Sequence, residues 1–196
     1  MTSPQGFGPD TSERLPLIPE DERSEAQRAA AAAIINGPRK ALFGPFLPLL
    51  HKPVLMERLG DLGAALRFES GLPELIRELV MAATARATGN QFEWQTHAPL
   101  ALKAGASREV LDALAARRVP RNLPADQAAA LDLVAEVLQT NGLSDAGFAT
   151  AERHFGKAGI VELTVLVGYF VTICWVMNVA RTPGPGGYPP LTATPA

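Results

Sequence analysis

Glu93, Trp94 and His97 stand within the stretch QFEWQTHAPLALKAG, residues 91 to 105, and together they could do acid–base chemistry. A carboxylate and an imidazole four residues apart on a helix share one face, close enough for the acid to fix the ring tautomer or raise its pKa. Glu93 has a competing duty. Asn90 can act as the N-cap of the same helix, which would put Glu93 where its carboxylate reaches back to the Asn90 amide in a capping box. Trp94 is open to two readings as well: a flat apolar wall beside a substrate, or an aromatic core anchor. A second acid, Glu78, lies on the preceding helix, off the apolar face set by Leu75, Ile76, Leu79, Val80 and Ala83. Its angular neighbours Ala82, Ala85 and Gly89 are small. Either another element packs close there and leaves Glu78 at the bottom of a groove, or Glu78 is solvated beside Arg77 or Arg86.

Helices must position these groups, because helical periodicity recurs along the chain and no two-residue alternation is convincing. Ser24 can cap a helix that stops at Asn36-Gly37-Pro38, and Pro53 and Pro73 each suit a first helical turn. The second of these helices, ELIRELVMAATARAT, ends at Gly89. Ser107 can cap a short helix to about Arg118, Pro124 opens ADQAAALDLVAEVLQT, Ser144 starts another helix, and an apolar one closes the domain from about Gly159 to Arg181. The expectation is an all-α bundle of roughly eight helices. Pro99 either kinks the helix that carries His97 or opens a second one. Residues 1–20 read as an extended N-terminal arm, 21–181 as the folded domain, and 182–196 as a Pro/Gly-rich C-terminal tail.

Composition narrows the function. Apolar residues make up 47% of the chain, charged ones 19%, and the net charge is −2, which argues against nucleic acid as a partner. A single cysteine, Cys174, cannot form an internal disulfide, and MTSPQGFGPD lacks the pattern of a secretory signal, so a cytoplasmic location is expected. The uncharged run from Leu163 to Ala180 meets the length rule for a membrane span. Its polar interruptions and thin flanking charge fit a central or subunit-contacting helix of a protein that does not enter a membrane.

PELIRELVMAATARATGNQFEWQTHAPLALKAG resembles the carboxymuconolactone decarboxylase family, which shares the AhpD alkylhydroperoxidase fold. The matching features are Arg77-Glu78-Leu79, the turn at Gly89, a motif helix reaching His97, and the Ala-Leu-Lys-Ala-Gly run to Gly105. FGPFLPLLHKP and GIVELTVLVGYF also look like this family, so the resemblance covers about residues 35–181. In its peroxidase branch the motif glutamate is followed by two cysteines and a histidine. Laid on this chain by spacing, Glu78 and His97 take the acid and histidine positions, while Asn90 and Glu93 stand where the cysteines would be. Loss of both thiols removes disulfide-based peroxidase chemistry. Cys174, in an apolar helix, does not replace them.

The remaining Glu-Trp-x-x-His arrangement resembles the cysteine-free, decarboxylase-like branch, which implies a lyase that needs no metal or organic cofactor. In that reading a small carboxylated lactone or ring-cleavage acid, as in aromatic compound catabolism, loses carbon dioxide, and the resulting dienolate is protonated at carbon. His97 would be the proton donor, Glu93 its orienting partner and Glu78 a second acid or base. Trp94 would wall the substrate, and Arg67 would hold its remaining carboxylate. Ligand spacing among the three histidines is lacking, although Glu93, His97 and Glu78 could supply ligands. The resemblance also implies a homo-oligomer, a trimer or hexamer. The alternatives are a non-catalytic small-ligand-binding or assembly protein on the same fold, and a peroxidase that uses a rearranged thiol.

Overall fold

The structure is a computed structural model that describes residues 12–192; residues 1–11 of the expected arm and 193–196 of the expected tail lie outside it. After a 3-10 turn at Glu20–Glu22 the chain forms α1 (Glu25–Asn36), α2 (Phe46–Leu49), α3 (Pro53–Phe68), α4 (Glu74–Thr88), α5 (Gln91–Lys103), α6 (Arg108–Ala115), α7 (Ala125–Thr140) and α8 (Asp145–Ala180). Among the described residues there is no strand.

The starts of the helices follow the capping chemistry. Ser24 and Gln27 form a reciprocal capping box on α1, Pro53 occupies the first turn of α3, and the Ser107 and Ser144 side chains cap α6 and α8. One feature departs from expectation. One-turn α2 was hidden by Pro45 and Pro48, yet it forms because Phe46, Leu49 and Leu50 are buried against α3. The two helices expected after Ser144 are both present within α8: they meet at Gly156, whose φ of 64° and ψ of 176° are not helical and suit glycine.

Packing centres on α4, buried at Ile76 and continuously from Glu78 to Arg86, with α5, α7 and α8 around it. A smaller core joins α1, α2 and α3 through Ala30, Ala31, Ile34, Phe46 and Met56. Burying α4 on every side explains the small residues Ala82 and Ala85: α5 approaches too closely for larger ones. α8 is long and apolar enough to cross a membrane, but half of its most apolar window is buried inside the protein.

Beyond α8 the chain turns back and lies along the outer side of α5. The Gln91 side chain donates to Leu191 O (2.8 Å) and accepts from Leu191 N (2.9 Å), Trp94 Nε1 donates to Pro189 O (3.0 Å), and Gln95 Nε2 donates to Tyr188 O (2.8 Å). Gly186 N completes the set by donating to Gln95 Oε1 (3.2 Å). Gly184 leaves room for this arrangement, since a Cβ there would overlap Gln95 Oε1 and displace the side chain from Gly186 N. Leu191 is buried in the main core. This strap should be a measurable part of stability: Gln91→Ala strips both backbone groups of Leu191 of their partner, and a loss of about 1–3 kcal/mol in urea denaturation is expected. A variant as stable as the parent would show that the strap contributes nothing.

Candidate active site

Gly89 and Asn90 set the geometry of the site. Gly89 ends α4 in the left-handed region with φ of 68°, which sends the chain straight back into α5 along the face that bears Glu78. Asn90 is fully buried and uses its whole amide: Oδ1 accepts from Glu93 N (2.8 Å), while Nδ2 donates to Cys174 O (3.1 Å) and Asn178 Oδ1 (2.8 Å). Asn178 in turn donates to Thr88 O (2.9 Å). The α4–α5 turn is thereby tied to α8. Because the Asn90 backbone amide already donates to Ala85 O (2.9 Å), the Glu93 carboxylate is not drawn into a capping box. α5 continues unbroken through Pro99.

Glu93 turns to the imidazole instead. His97 Nε2 lies 3.0 Å from Glu93 Oε2, and His97 Nδ1 lies 2.6 Å from Glu78 Oε2. His97, Glu93 and Glu78 are 2%, 4% and 5% exposed, so water does little to screen the carboxylates from each other. A neutral ring has one N–H and would turn a lone pair toward one carboxylate; an imidazolium donates to both. Burial alone lowers the His97 pKa, but the hydrogen bonds to Glu78 and Glu93 outweigh it and push the pKa from 6.5 up to about 9. The Phe170 and His97 rings lie 5.1 Å apart in an edge-to-face arrangement at 79°.

A cavity of about 50 Å3 opens beside this group, lined on one side by Glu93 and His97 and on another by Arg39, Arg67 and Tyr169. Arg39 Nη1 donates to Gly60 O (3.2 Å), its guanidinium lies 4.9 Å from the centre of the Phe46 ring, and it hydrogen-bonds Tyr169. Burial pulls Arg39 below the usual arginine range, and Tyr169 draws it back up. Burial, and to a lesser extent Glu93, raises the Tyr169 hydroxyl to about 12 against the pull of Arg39, so it stays protonated and can donate to an anion. Gly63 makes the pairing possible: a Cβ there would overlap the Tyr169 hydroxyl and lie 2.7 Å from an Arg39 nitrogen.

The residues singled out in the sequence therefore divide. Glu78, Glu93 and His97 come together, and Arg67 reaches the same cavity. Trp94 does not: its indole, 2% exposed, packs in the main core and binds the strap. Trp94 is thus a core anchor, and Met81, Leu166, Phe170 and Ile173 supply the apolar wall expected of it. The role given to His97 also changes, because with a carboxylate on each nitrogen the ring has no free N–H to offer a substrate directly. Arg39 and Tyr169 were missed. A tyrosine in the uncharged, largely apolar stretch of α8, whose buried hydroxyl needs a partner, was the available signal.

Fold and site define an AhpD-type helical bundle whose two inner helices hold a Glu-His-Glu cluster. A model of the carboxymuconolactone decarboxylase family matches residues 53–136. The bundle superposes on a peroxidase-related protein with an AhpD core from Ralstonia eutropha JMP134 with a TM-score of 0.72 and 19% identity, covering 88% of this chain and 92% of that one. A second likeness is to an Agrobacterium tumefaciens protein of unknown function described as a putative antioxidant defence protein AhpD, with a TM-score of 0.61 and 20% identity over 70% and 95% of the chains. No curated protein matches significantly. The family model thus covers the helices that carry the cluster, and the two solved structures share the AhpD-type fold.

The raised pKa of His97 has a thermodynamic consequence. Its stabilisation is fully present below pH 6.5, the unfolded value, and is lost as pH rises through about 9. Chemical denaturation should show stability falling across that interval, by at most about 3 kcal/mol. Glu78→Gln removes one of the two negative charges that stabilise the imidazolium and should move the fall to lower pH; an unchanged profile would contradict the assignment.

Proposed function

We propose that the protein is a cofactor-free, decarboxylase-like lyase that acts by proton transfer on a small carboxylated lactone or ring-cleavage acid. One observation carries this reading: a buried carboxylate–imidazole–carboxylate cluster opens onto a cavity that holds two arginines and a protonated tyrosine. Counted with an imidazolium, three cations face two carboxylates. The one positive charge left over suits a substrate that keeps one carboxylate after losing another.

In this mechanism Arg39 and Arg67 hold the retained carboxylate, and the departing one lies against the apolar wall, where poor solvation favours the loss of charge. The C–C bond to the departing carboxylate breaks, carbon dioxide leaves, and the electron pair delocalises into the lactone carbonyl, whose oxygen the Tyr169 hydroxyl stabilises. Glu93 is the acid that meets the substrate: it lines the cavity, and His97 Nε2–H supplies the proton that it passes to carbon. Glu78, which does not line the cavity, holds the other side of the ring and is a positioning residue. The enclosed space admits about three or four waters, so it takes the reacting groups while the rest of the substrate extends past half-exposed Phe43.

A thiol peroxidase is disfavoured on chemical grounds. The Cys174 thiol is fully buried, and burial, with Glu93 nearby, pushes its pKa well above its ordinary value, away from the thiolate that peroxide reduction requires. Carboxylated lactones and ring-cleavage acids should be screened with the wild type, Glu93→Gln and Arg67→Ala, with products read by mass spectrometry. At least one compound should lose carbon dioxide, Glu93→Gln should lower kcat about 100-fold or more, and Arg67→Ala should act mainly on KM. Saturable binding with no product would overturn the lyase reading in favour of a binding protein.

We propose further that the chain forms homo-oligomers through the outer face of α8, where Val161, Val165, Trp175 and Val179 are exposed along one stripe. Light scattering should give a mass above the monomer for the parent and a lower one for Trp175→Asp; a monomeric parent would refute this.

A further inference from the structure

A second cavity, of about 360 Å3, lies between α4, the α6–α7 connection and α7, away from the His97 site. Its floor is apolar, built from Ala83 of α4 and Leu131 and Val134 of α7, all buried in the main core. Three guanidinium groups line it, from Arg86, Arg117 and Arg118, and Asp132 is the acid among the lining residues. That size falls in the range of small-molecule pockets, roughly 300–1,000 Å3, and an apolar floor with a few convergent charged groups is their usual make-up.

Two local penalties lie at this cavity. Arg117 follows the end of α6 with φ of 53°, a left-handed conformation in which glycine is favoured and a side chain costs about 1 kcal/mol. The turn holds it there, through Arg117 N to Leu114 O (2.9 Å) and Arg118 N to Ala113 O (2.8 Å). Arg117 is also close enough to Arg86, itself 5% exposed and donating through Nε to Ala115 O (2.7 Å), for the two cations to repel. Arg117 and Arg118 are exposed, and among the described residues their side chains have no carboxylate within ion-pair distance and no hydrogen bond, so both are accessible to a ligand from solvent. Glycine at position 117 would relieve strain and repulsion together, so the arginine fits a bound anion better than it fits stability.

We propose that this cavity is a binding site for a small organic anion, a carboxylate or sulfonate on an apolar body, with the body on the Ala83, Leu131 and Val134 floor and the anionic group between Arg117 and Arg118. It is independent of the proton-transfer chemistry at His97. The probe is 1-anilinonaphthalene-8-sulfonate, titrated by fluorescence into the full-length protein. One saturable site is expected. The double variant Arg117→Gly, Arg118→Ala should raise Kd at least tenfold while unfolding no more easily than the parent, because glycine is at ease at that φ. Ala135→Phe, which fills the cavity from α7 and leaves the charges in place, should do the same. Arg67→Ala, at the other cavity, should leave Kd unchanged. No saturable binding, a Kd indifferent to both cavity variants, or a Kd raised by Arg67→Ala would overturn the proposal.

Discussion

Two carboxylates, Glu78 and Glu93, face a single imidazole at the centre of the bundle, all three nearly excluded from solvent. A carboxylate buried without a partner costs several kcal/mol, and two on either side of a neutral ring would repel as well. The added proton on His97 removes both penalties, because each ring nitrogen then donates to one acid. It also gives the cluster one proton held between two acids, with Glu93 and His97 both on the cavity wall. Stability and the proposed chemistry thus rest on the same proton, and the elements around it can be understood by how they keep His97 in place.

Those elements act on α5 from both sides. On the inner side, Asn90 ties the start of α5 to the backbone and Asn178 of α8, and Gly89 supplies the left-handed turn that brings Glu78 and His97 together. On the outer side, Gln91, Trp94 and Gln95 bind the strap that follows α8. The helix therefore has one chemical face, Glu93 and His97, and one structural face. In the peroxidase branch that the motif resembles, the spacing puts cysteines at the positions of Asn90 and Glu93. Here one is a saturated structural amide and the other a carboxylate, so the loss of sulfur leaves no gap in the packing.

Much of this was legible in the sequence because it rests on local rules. The caps at Ser24, Ser107 and Ser144, the prolines at helix starts and the glycine turn at Gly89 fixed most of the helices, and i, i+4 spacing placed Glu93 beside His97. The small residues beside Glu78 signalled close approach by another helix. What stayed hidden depends on contacts between distant segments. The Glu93 carboxylate could have closed a capping box; that Ala85 O already holds the Asn90 amide is a tertiary fact. Trp94 could have faced either way until residues 188–191 folded back over it. Arg39 and Tyr169 meet across Gly63 from three separate parts of the chain, and no periodicity reports such a meeting.

The most direct test of this account is the protonation state of His97, read from the 15N shifts of its two ring nitrogens in protein labelled at histidine. The account requires both nitrogens to carry a proton at pH 7 and to lose that form only as pH approaches about 9. A neutral tautomer at pH 7, with one nitrogen unprotonated, would contradict it.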